Sequence, residues 1–320
     1  MSALPTAVSV PALVEQARAG EARAVARLIS LVEDASPLLR EVSALLVAHT
    51  GNAQVIGITG SPGVGKSTCT SALVTALRGT GRRVGVLAVD PSSPFSGGAL
   101  LGDRVRMQDH ATDRGVYIRS MASRGHLGGL AWATPQAVRV LDAAGCDLVL
   151  VETVGVGQSE VEVAATADTT LVLLAPGMGD GIQAAKAGIL EIGDVYVVNK
   201  ADRDGAAQVA RDLRAMLALT ERAGDAWTPQ IVKTVAAKGE GIDAVIEAIE
   251  AHHRWAQQSG ELERLRLRRV RGEIEAIAVT GMRERLADLH GHADLDRLAA
   301  AVIAGETDPY TAADIVVDTV

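Results

Sequence analysis

The stretch Gly60-Ser61-Pro62-Gly63-Val64-Gly65-Lys66-Ser67-Thr68 decides the fold. It satisfies G-x-x-x-x-G-K-[ST], follows a Val/Ile run (Val55 to Thr59) that reads as a buried strand, and opens a segment of helical composition. The physics fits each position. Glycines let successive backbone N–H groups turn inward around an anion, and the helix start adds positive potential. Lys66 would reach the β and γ phosphates of a nucleoside triphosphate, and the Ser67 hydroxyl would ligate magnesium. The chain has five lysines against 26 arginines, yet a lysine stands here. A guanidinium is too broad and planar to curl under such a loop as a point charge. A plain glycine-rich turn would explain the glycines and leave that lysine unexplained.

Outward from the loop, apolar runs recur at Val55 to Thr59, Arg83 to Val89, Val116 to Ile118, Leu148 to Val151, Thr169 to Leu174, Val195 to Val198 and Ile231 to Val235. Helix-length segments separate most of them. Strands alternating with helices imply right-handed parallel crossovers, with ligands bound beyond the carboxyl ends of the strands. The expected class is α/β, a P-loop NTPase parallel sheet wrapped by helices. Before it, Leu13, Val25, Leu28, Ile29, Val32, Val42 and Leu46 lie at helical spacings, with Pro11 and Pro37 as helix starters. After about residue 242 the pattern predicts helices over 242–258 and 261–290. The second carries Leu262, Leu265, Val270, Ile274 and Ile277 on about one face, which suits an arm packing against a second subunit. The expected organisation is an N-terminal helical extension (1–50), a P-loop domain (51–255) and a C-terminal helical dimerisation arm (256–320).

The 320 residues are 48% hydrophobic, 22% charged and 2% aromatic, a globular composition whose interior must be filled by aliphatic side chains. With seven aromatic residues the composition disfavours a stacking platform for single-stranded nucleic acid. The net charge of −8 repels nucleic acid and anionic membrane, so neither is expected as a partner. Cys69 and Cys146 match no metal or redox spacing, no apolar run spans a bilayer and no signal peptide is visible, so a cytoplasmic protein is expected.

Beyond Val195-Tyr196-Val197-Val198 comes Asn199-Lys200-Ala201-Asp202, the N-K-x-D pattern of guanine pockets. The Asp202 carboxylate can accept both the N1–H and the exocyclic amine of guanine, and adenine presents neither in that arrangement. Asn199 would brace the loop and the Lys200 stem would cover the ring. Such a site rejects the wrong base by on the order of 10⁴. In the loop Val235-Ala236-Ala237-Lys238-Gly239, a backbone N–H could meet the guanine O6. Asp90 and Glu152 end the second and fourth strands, where magnesium and the attacking water need hard oxygens. The Gly155 N–H would contact the γ-phosphate, and Asp103, on a glycine-rich stretch, would reach the nucleotide after closure. The segments 91–109, 153–162 and 175–188, the last with Asp180, Gln183 and Lys186, read as loops that order around a γ-phosphate.

Together with G-S-P-G-V-G-K-S-T, the stretches V-D-P-S-S-P, L-G-D-R-V-R-M, I-R-S-M-A-S-R-G-H-L-G-G-L-A, V-E-T-V-G-V-G-Q-S-E, V-N-K-A-D and D-P-Y-T-A-A-D resemble the MeaB/ArgK family of GTPases over about residues 10 to 317. The resemblance implies a homodimeric, GTP-hydrolysing chaperone. Such a protein gates adenosylcobalamin loading and protects or reactivates a cobalamin-dependent acyl-CoA mutase, usually methylmalonyl-CoA mutase. In residues, it implies a phosphate cradle at Gly60 to Thr68, Mg²⁺ near Ser67, Asp90 and Glu152, a water-orienting role at Asp103, and GTP or GDP read at Asn199, Lys200 and Asp202. The family often has Ser-Ala-Leu where this chain has Val235-Ala236-Ala237, so only a backbone contact carries over.

Two other readings remain open: a metal-inserting GTPase and a non-hydrolysing nucleotide-dependent scaffold. The scarcity of soft ligands disfavours the first, and the set Lys66, Ser67, Asp90 and Glu152 disfavours the second. A cobalamin motif D-x-H-x-x-G is only approached, at Asp288 to Ala293. His252, His253, His290 and His292 read as solvated surface histidines, and the run Arg264, Arg266, Arg268, Arg269, Arg271 as the charged face of a helical arm.

Overall fold

The aliphatic runs pair as one all-parallel sheet in the order β3-β2-β4-β1-β5-β6-β7, with β1 Gln54–Thr59, β2 Val84–Pro91, β3 Val116–Ser123, β4 Leu148–Thr153, β5 Thr169–Leu174, β6 Val195–Val198 and β7 Gln230–Lys233. This is a computed structural model, and it describes residues 9–91, 108–110, 112–123, 130–153, 159–177, 191–219, 224–287 and 293–318. Asp103, Gly155, Asp180, Gln183, Lys186, His290 and His292 lie outside the described residues, as does the side chain of Asp90. The β3 strand outruns its apolar core because it is the sheet edge, where Arg119 and Ser120 need only half-burial. The β7 strand stops at Lys233, short of the expected Val235, because Val235 leaves the parallel ladder for an antiparallel bridge to Glu240.

Side-chain alternation along the strands sorts the core into two layers. Ile56, Ile58, Leu148, Leu150, Leu171 and Leu173 face α4 (Lys66–Gly79) and the helix Ile242–Gln258. Val55, Val149 and Val151 face α1 (Val10–Arg18), α2 (Ala22–Glu33), α3 (Leu39–Leu46) and the helix Leu130–Ala143. Each buried aliphatic side chain stabilises the fold by about 1.5–3 kcal/mol. At Gly57 of β1 the helix Ser159–Thr166 and the turn after it come close to the strand: a Cβ there would lie 3.0 Å from the Ala167 Cβ and 3.1 Å from Val163 Cγ2. Cys69 and Cys146 lie in opposite layers, and burial pushes both thiols up to about 12. They therefore act as small apolar side chains.

Two buried carboxylates tie the chain to the head of β1. Asp142 accepts the N–H groups of Gly51 (2.5 Å) and Ala53 (3.0 Å), and Asp168 accepts that of Val55 (3.0 Å). Asp168 also takes Arg266 at 3.2 Å and Arg269 at 2.7 Å, and its side chain is fully buried. This corrects the arginine run: two of its members are the ion-pair partners of a core carboxylate, and removing either would leave a buried group without its partner.

His252 corrects a second expectation. It is buried rather than solvated, at 1% exposure, because it falls on the inner face of its helix over the start of β5. Its Nδ1 lies 2.9 Å from the Thr169 hydroxyl and its Nε2 3.3 Å from Asp194 Oδ1. A neutral ring donating from Nε2 and accepting at Nδ1 satisfies both contacts. Burial holds His252 down at about 4 and pushes Asp194 up to about 7, with Glu261 adding to the rise at Asp194 and the neighbouring His253 to the fall at His252. Below its folded value Asp194 keeps a proton the unfolded chain would release, so its contribution to stability is lost as pH rises from 3.8 through about 7. The His252 contribution has the opposite sign and is lost as pH falls from 6.5 through about 4. In the parent the two offset each other. We expect His252→Gln to lose stability as pH rises from 5 to 7, and Asp194→Asn to lose it as pH falls over that range, each by at most about 1 kcal/mol per pH unit. Urea midpoints at the two pH values test this, and profiles parallel to the parent's would refute it.

Contacts divide the chain into one unit up to Arg269 and a second from Val270. In the second, the helices Ala293–Ile303 and Pro309–Asp318 pack together. Asp308 caps the latter through the N–H groups of Tyr310 (2.8 Å) and Thr311 (3.1 Å), with Pro309 in the first helical position. Val270, Ile274, Ile277 and Met282 are exposed. Among the described residues no helix is long and apolar enough to cross a membrane.

Candidate active site

Strand register brings the candidate residues to one edge. Ile58 of β1 is level with Glu152 of β4, and Leu174 of β5 with Val198 of β6, so the loops after all four leave the sheet together at its carboxyl end. The chain passes from Thr59 into Gly60 (φ 136°), Gly63 (80°) and Gly65 (98°), conformations that suit glycine alone. At Gly60 a Cβ would sit 2.3 Å from the Leu173 carbonyl, and at Gly65 one would sit 2.5 Å from Asn199 Nδ2. The loop is thus folded tightly between two neighbouring strands. Buried Val64 anchors it, while Pro62, Gly63 and Thr68 face solvent.

Lys66 is the first residue of α4 and is 7% exposed. Its Nζ donates to the carbonyls of Gly60 (2.6 Å) and Ser61 (3.2 Å), which holds the ammonium against the loop at the helix N-terminus. One residue on, Ser67 Oγ donates to Glu152 Oε1 at 2.6 Å. Thr70 Oγ1, one turn further, lies 2.8 Å from Glu152 Oε2 and 3.0 Å from the Lys66 carbonyl. Reading the sequence by motif missed Thr70. Its signal was helical spacing: residues 66, 67 and 70 share one face of α4. These donors are all hard oxygens, which suits Mg²⁺, a cation that takes one or two protein ligands and completes its octahedron with phosphate and water. No cluster of three or more His, Cys, Asp or Glu able to hold a metal exists among the described residues.

On the other side of the loop, buried Asn199 spans two segments. Its Nδ2 donates to the Val64 carbonyl (2.9 Å), and its Oδ1 accepts the Ala236 N–H and the Thr234 hydroxyl, both at 3.1 Å. Thr234 is a second residue that the motifs do not flag. Lys200 adopts φ 56°, a left-handed conformation costly for a side chain of its size, and its Nζ donates to the Gly63 carbonyl at 2.6 Å. That strain turns the chain so that Asp202, 45% exposed, stands beyond the loop with Lys238 at 3.6 Å. Val235 N–H donates to the Glu240 carbonyl (3.0 Å), and Ala236 N–H is taken by Asn199. Ala237 follows on the short turn Ala236–Lys238. The structure therefore brings Gly60 to Thr68, Glu152, Asn199, Lys200, Asp202 and the 235–237 turn to one edge.

An anion cradle after β1, a carboxylate after β4 and an N-K-x-D loop after β6 define the class: the chain is a P-loop GTPase. Comparison with known proteins agrees. The family model described as methylmalonyl-CoA mutase-associated GTPase MeaB matches residues 25–290. A homologue from Pyrococcus horikoshii is 45% identical over 308 residues, covering 96% of each chain. The GTPase ArgK of Escherichia coli is 37% identical over 291 residues, 89% of this chain and 87% of that one. A crystal structure described as a LAO/AO transport system kinase superposes with a TM-score of 0.71 at 29% identity, covering 99% of both chains. The chain belongs to the MeaB family.

Proposed function

We propose that the protein is a GTP-hydrolysing chaperone of an adenosylcobalamin-dependent acyl-CoA mutase, most simply methylmalonyl-CoA mutase, and that its nucleotide cycle gates cofactor loading and protects or reactivates the enzyme. The observation that carries this is the joining of the phosphate loop to the base loop through Asn199, together with a family described by its association with that mutase. In this reading Gly60 to Thr68 wrap the phosphates and Lys66 follows the charge that builds on the β–γ bridging oxygen. Ser67, Glu152 and Asp90 would hold Mg²⁺. Bound there, the ion would neutralise phosphate charge. Asp202 reads guanine, Lys200 lies along the ring, and within Val235, Ala236 and Ala237 the amide of Ala237 serves the guanine O6. Asp103 orients water and Gly155 contacts the γ-phosphate. Water adds to the γ-phosphorus, the bond to the bridging oxygen breaks, and GDP and phosphate leave.

The working form in this reading is a cytoplasmic homodimer with no nucleic acid or membrane partner. The 1–50 helices extend the 51–255 GTPase domain, and 256–320 forms the dimerisation arm. Support for the arm comes from the apolar side chains it exposes, Ile274 at 62% and Met282 at 63%, which a second copy would cover. The test is turnover with and without purified acyl-CoA mutases. Intrinsic hydrolysis should be slow, on the order of 10⁻⁴ to 10⁻² s⁻¹, and should accelerate when the cognate mutase is added. Equal rates with every mutase would contradict the chaperone reading.

A further inference from the structure

At the amino-terminal ends of β5 and β6 lies a cavity of about 500 Å³, a size that takes a small organic ligand. The two strands are about 20 and 13 Å long, so it opens at the opposite end of the strands from the phosphate loop. Its wall holds two of the chain's three tryptophans, Trp227 and Trp255, with ring centroids 5.8 Å apart. His252 stacks 5.6 Å from Trp255 and stands edge-on to Trp227 at 5.0 Å. In a chain this poor in aromatics, such a concentration beside an open cavity is unusual for packing alone.

Among the described lining residues the charges have one sign: Asp168, Glu191, Asp194 and Glu261 contribute, and no lysine or arginine does. Asp168 is neutralised by Arg266 and Arg269, and Glu261 by Arg264 (2.9 Å) and Arg268 (2.8 Å). Asp194 and Glu191 have no such counter-charge among the described residues. Asp194 Oδ2 accepts the Thr170 N–H at 2.7 Å, and its other oxygen meets only neutral His252. With 31% of its side chain exposed, Asp194 can be reached from the cavity. Burial pushes its carboxyl up to about 7, a cost that an incoming cation would remove.

We infer that this cavity binds an organic cation, an aliphatic guanidinium or ammonium group, with the charge on Asp194 and the alkyl chain against Trp227 and Trp255. A carboxylate beside indole faces favours such a guest twice, through the ion pair and through the cation–π attraction. The group could belong to a free small molecule or to a basic side chain presented by a partner protein.

The test uses the full-length protein at pH 8, followed by calorimetry and tryptophan fluorescence, with butylguanidine and its uncharged isostere butylurea as probes. Butylguanidine should bind and shift the emission, and butylurea should bind about tenfold more weakly or worse. Asp194→Asn, which keeps an acceptor for the Thr170 N–H, should lose the preference for the charged probe. Trp255→Leu should weaken butylguanidine binding with Asp194 intact, so the inference stays testable if one variant fails to fold. An arginine within an acetyl-Gly-Arg-Gly-amide peptide separates the sources. Tighter binding of the peptide assigns the site to a partner's side chain, and tighter binding of butylguanidine assigns it to a free cation. Equal affinity for butylguanidine and butylurea, no binding of either up to 10 mM (roughly the weakest useful affinity), or unchanged charge preference in Asp194→Asn overturns the inference.

Discussion

Replacing Lys66 with alanine is expected to abolish GTP turnover and leave the protein folded. The side chain is the cation at the start of α4, held by the carbonyls of Gly60 and Ser61, and nothing else in the loop supplies a mobile positive charge. Its loss removes a charge-assisted donor from phosphates whose charge increases in the transition state, so kcat/KM should fall on the order of 10²–10³-fold or more. Stability should barely move, because alanine is a good helix former and the core around Val64, Cys69 and Leu73 does not depend on the ammonium. Steady-state phosphate release with a thermal melt reads both quantities. A variant that melts many degrees lower would make Lys66 a structural residue, and one that turns over normally would remove it from the site.

The second large effect is on base choice. Asp202 stands two residues beyond the strained Lys200, with its side chain 45% exposed and one carboxylate oxygen 3.6 Å from the Lys238 ammonium. In Asp202→Asn one acceptor becomes a donor that faces the guanine 2-amino group, so two donors confront each other. The GTP-over-ATP preference should fall by on the order of 10²-fold or more. Xanthosine triphosphate carries a carbonyl where guanine carries that amine, so the variant should gain affinity for it. Competition for a fluorescent guanine nucleotide measures all three. Unchanged selectivity would remove the base-pocket assignment.

The parts of this molecule legible in the sequence are those set by local chemistry. The loop after β1 is written in its glycines and single lysine, and the sheet in its aliphatic runs, because buried parallel strands tolerate little else. What escaped depends on contacts distant in the chain. His252 sits beside another histidine on an amphipathic helix, and only its packing over Thr169 and Asp194 makes it a core residue. Arg266 and Arg269 belong to a run of alternating charge, and their partner Asp168 lies about a hundred residues earlier. Thr70 and Thr234 fall outside the motifs, yet one buttresses Glu152 and the other the Asn199 amide. Hydroxyls carry no pattern in sequence until their acceptors are placed.

All of these assignments require guanine nucleotide to enter the cradle between Lys66 and Asp202. Calorimetric titration of the purified protein with GDP and with a non-hydrolysable GTP analogue, in magnesium, tests this most directly. The expected result is one site per chain, with dissociation constants on the order of micromolar for both guanine nucleotides, and no measurable heat from the adenine equivalents. Absence of guanine nucleotide binding, or equal binding of the adenine series, would contradict the account.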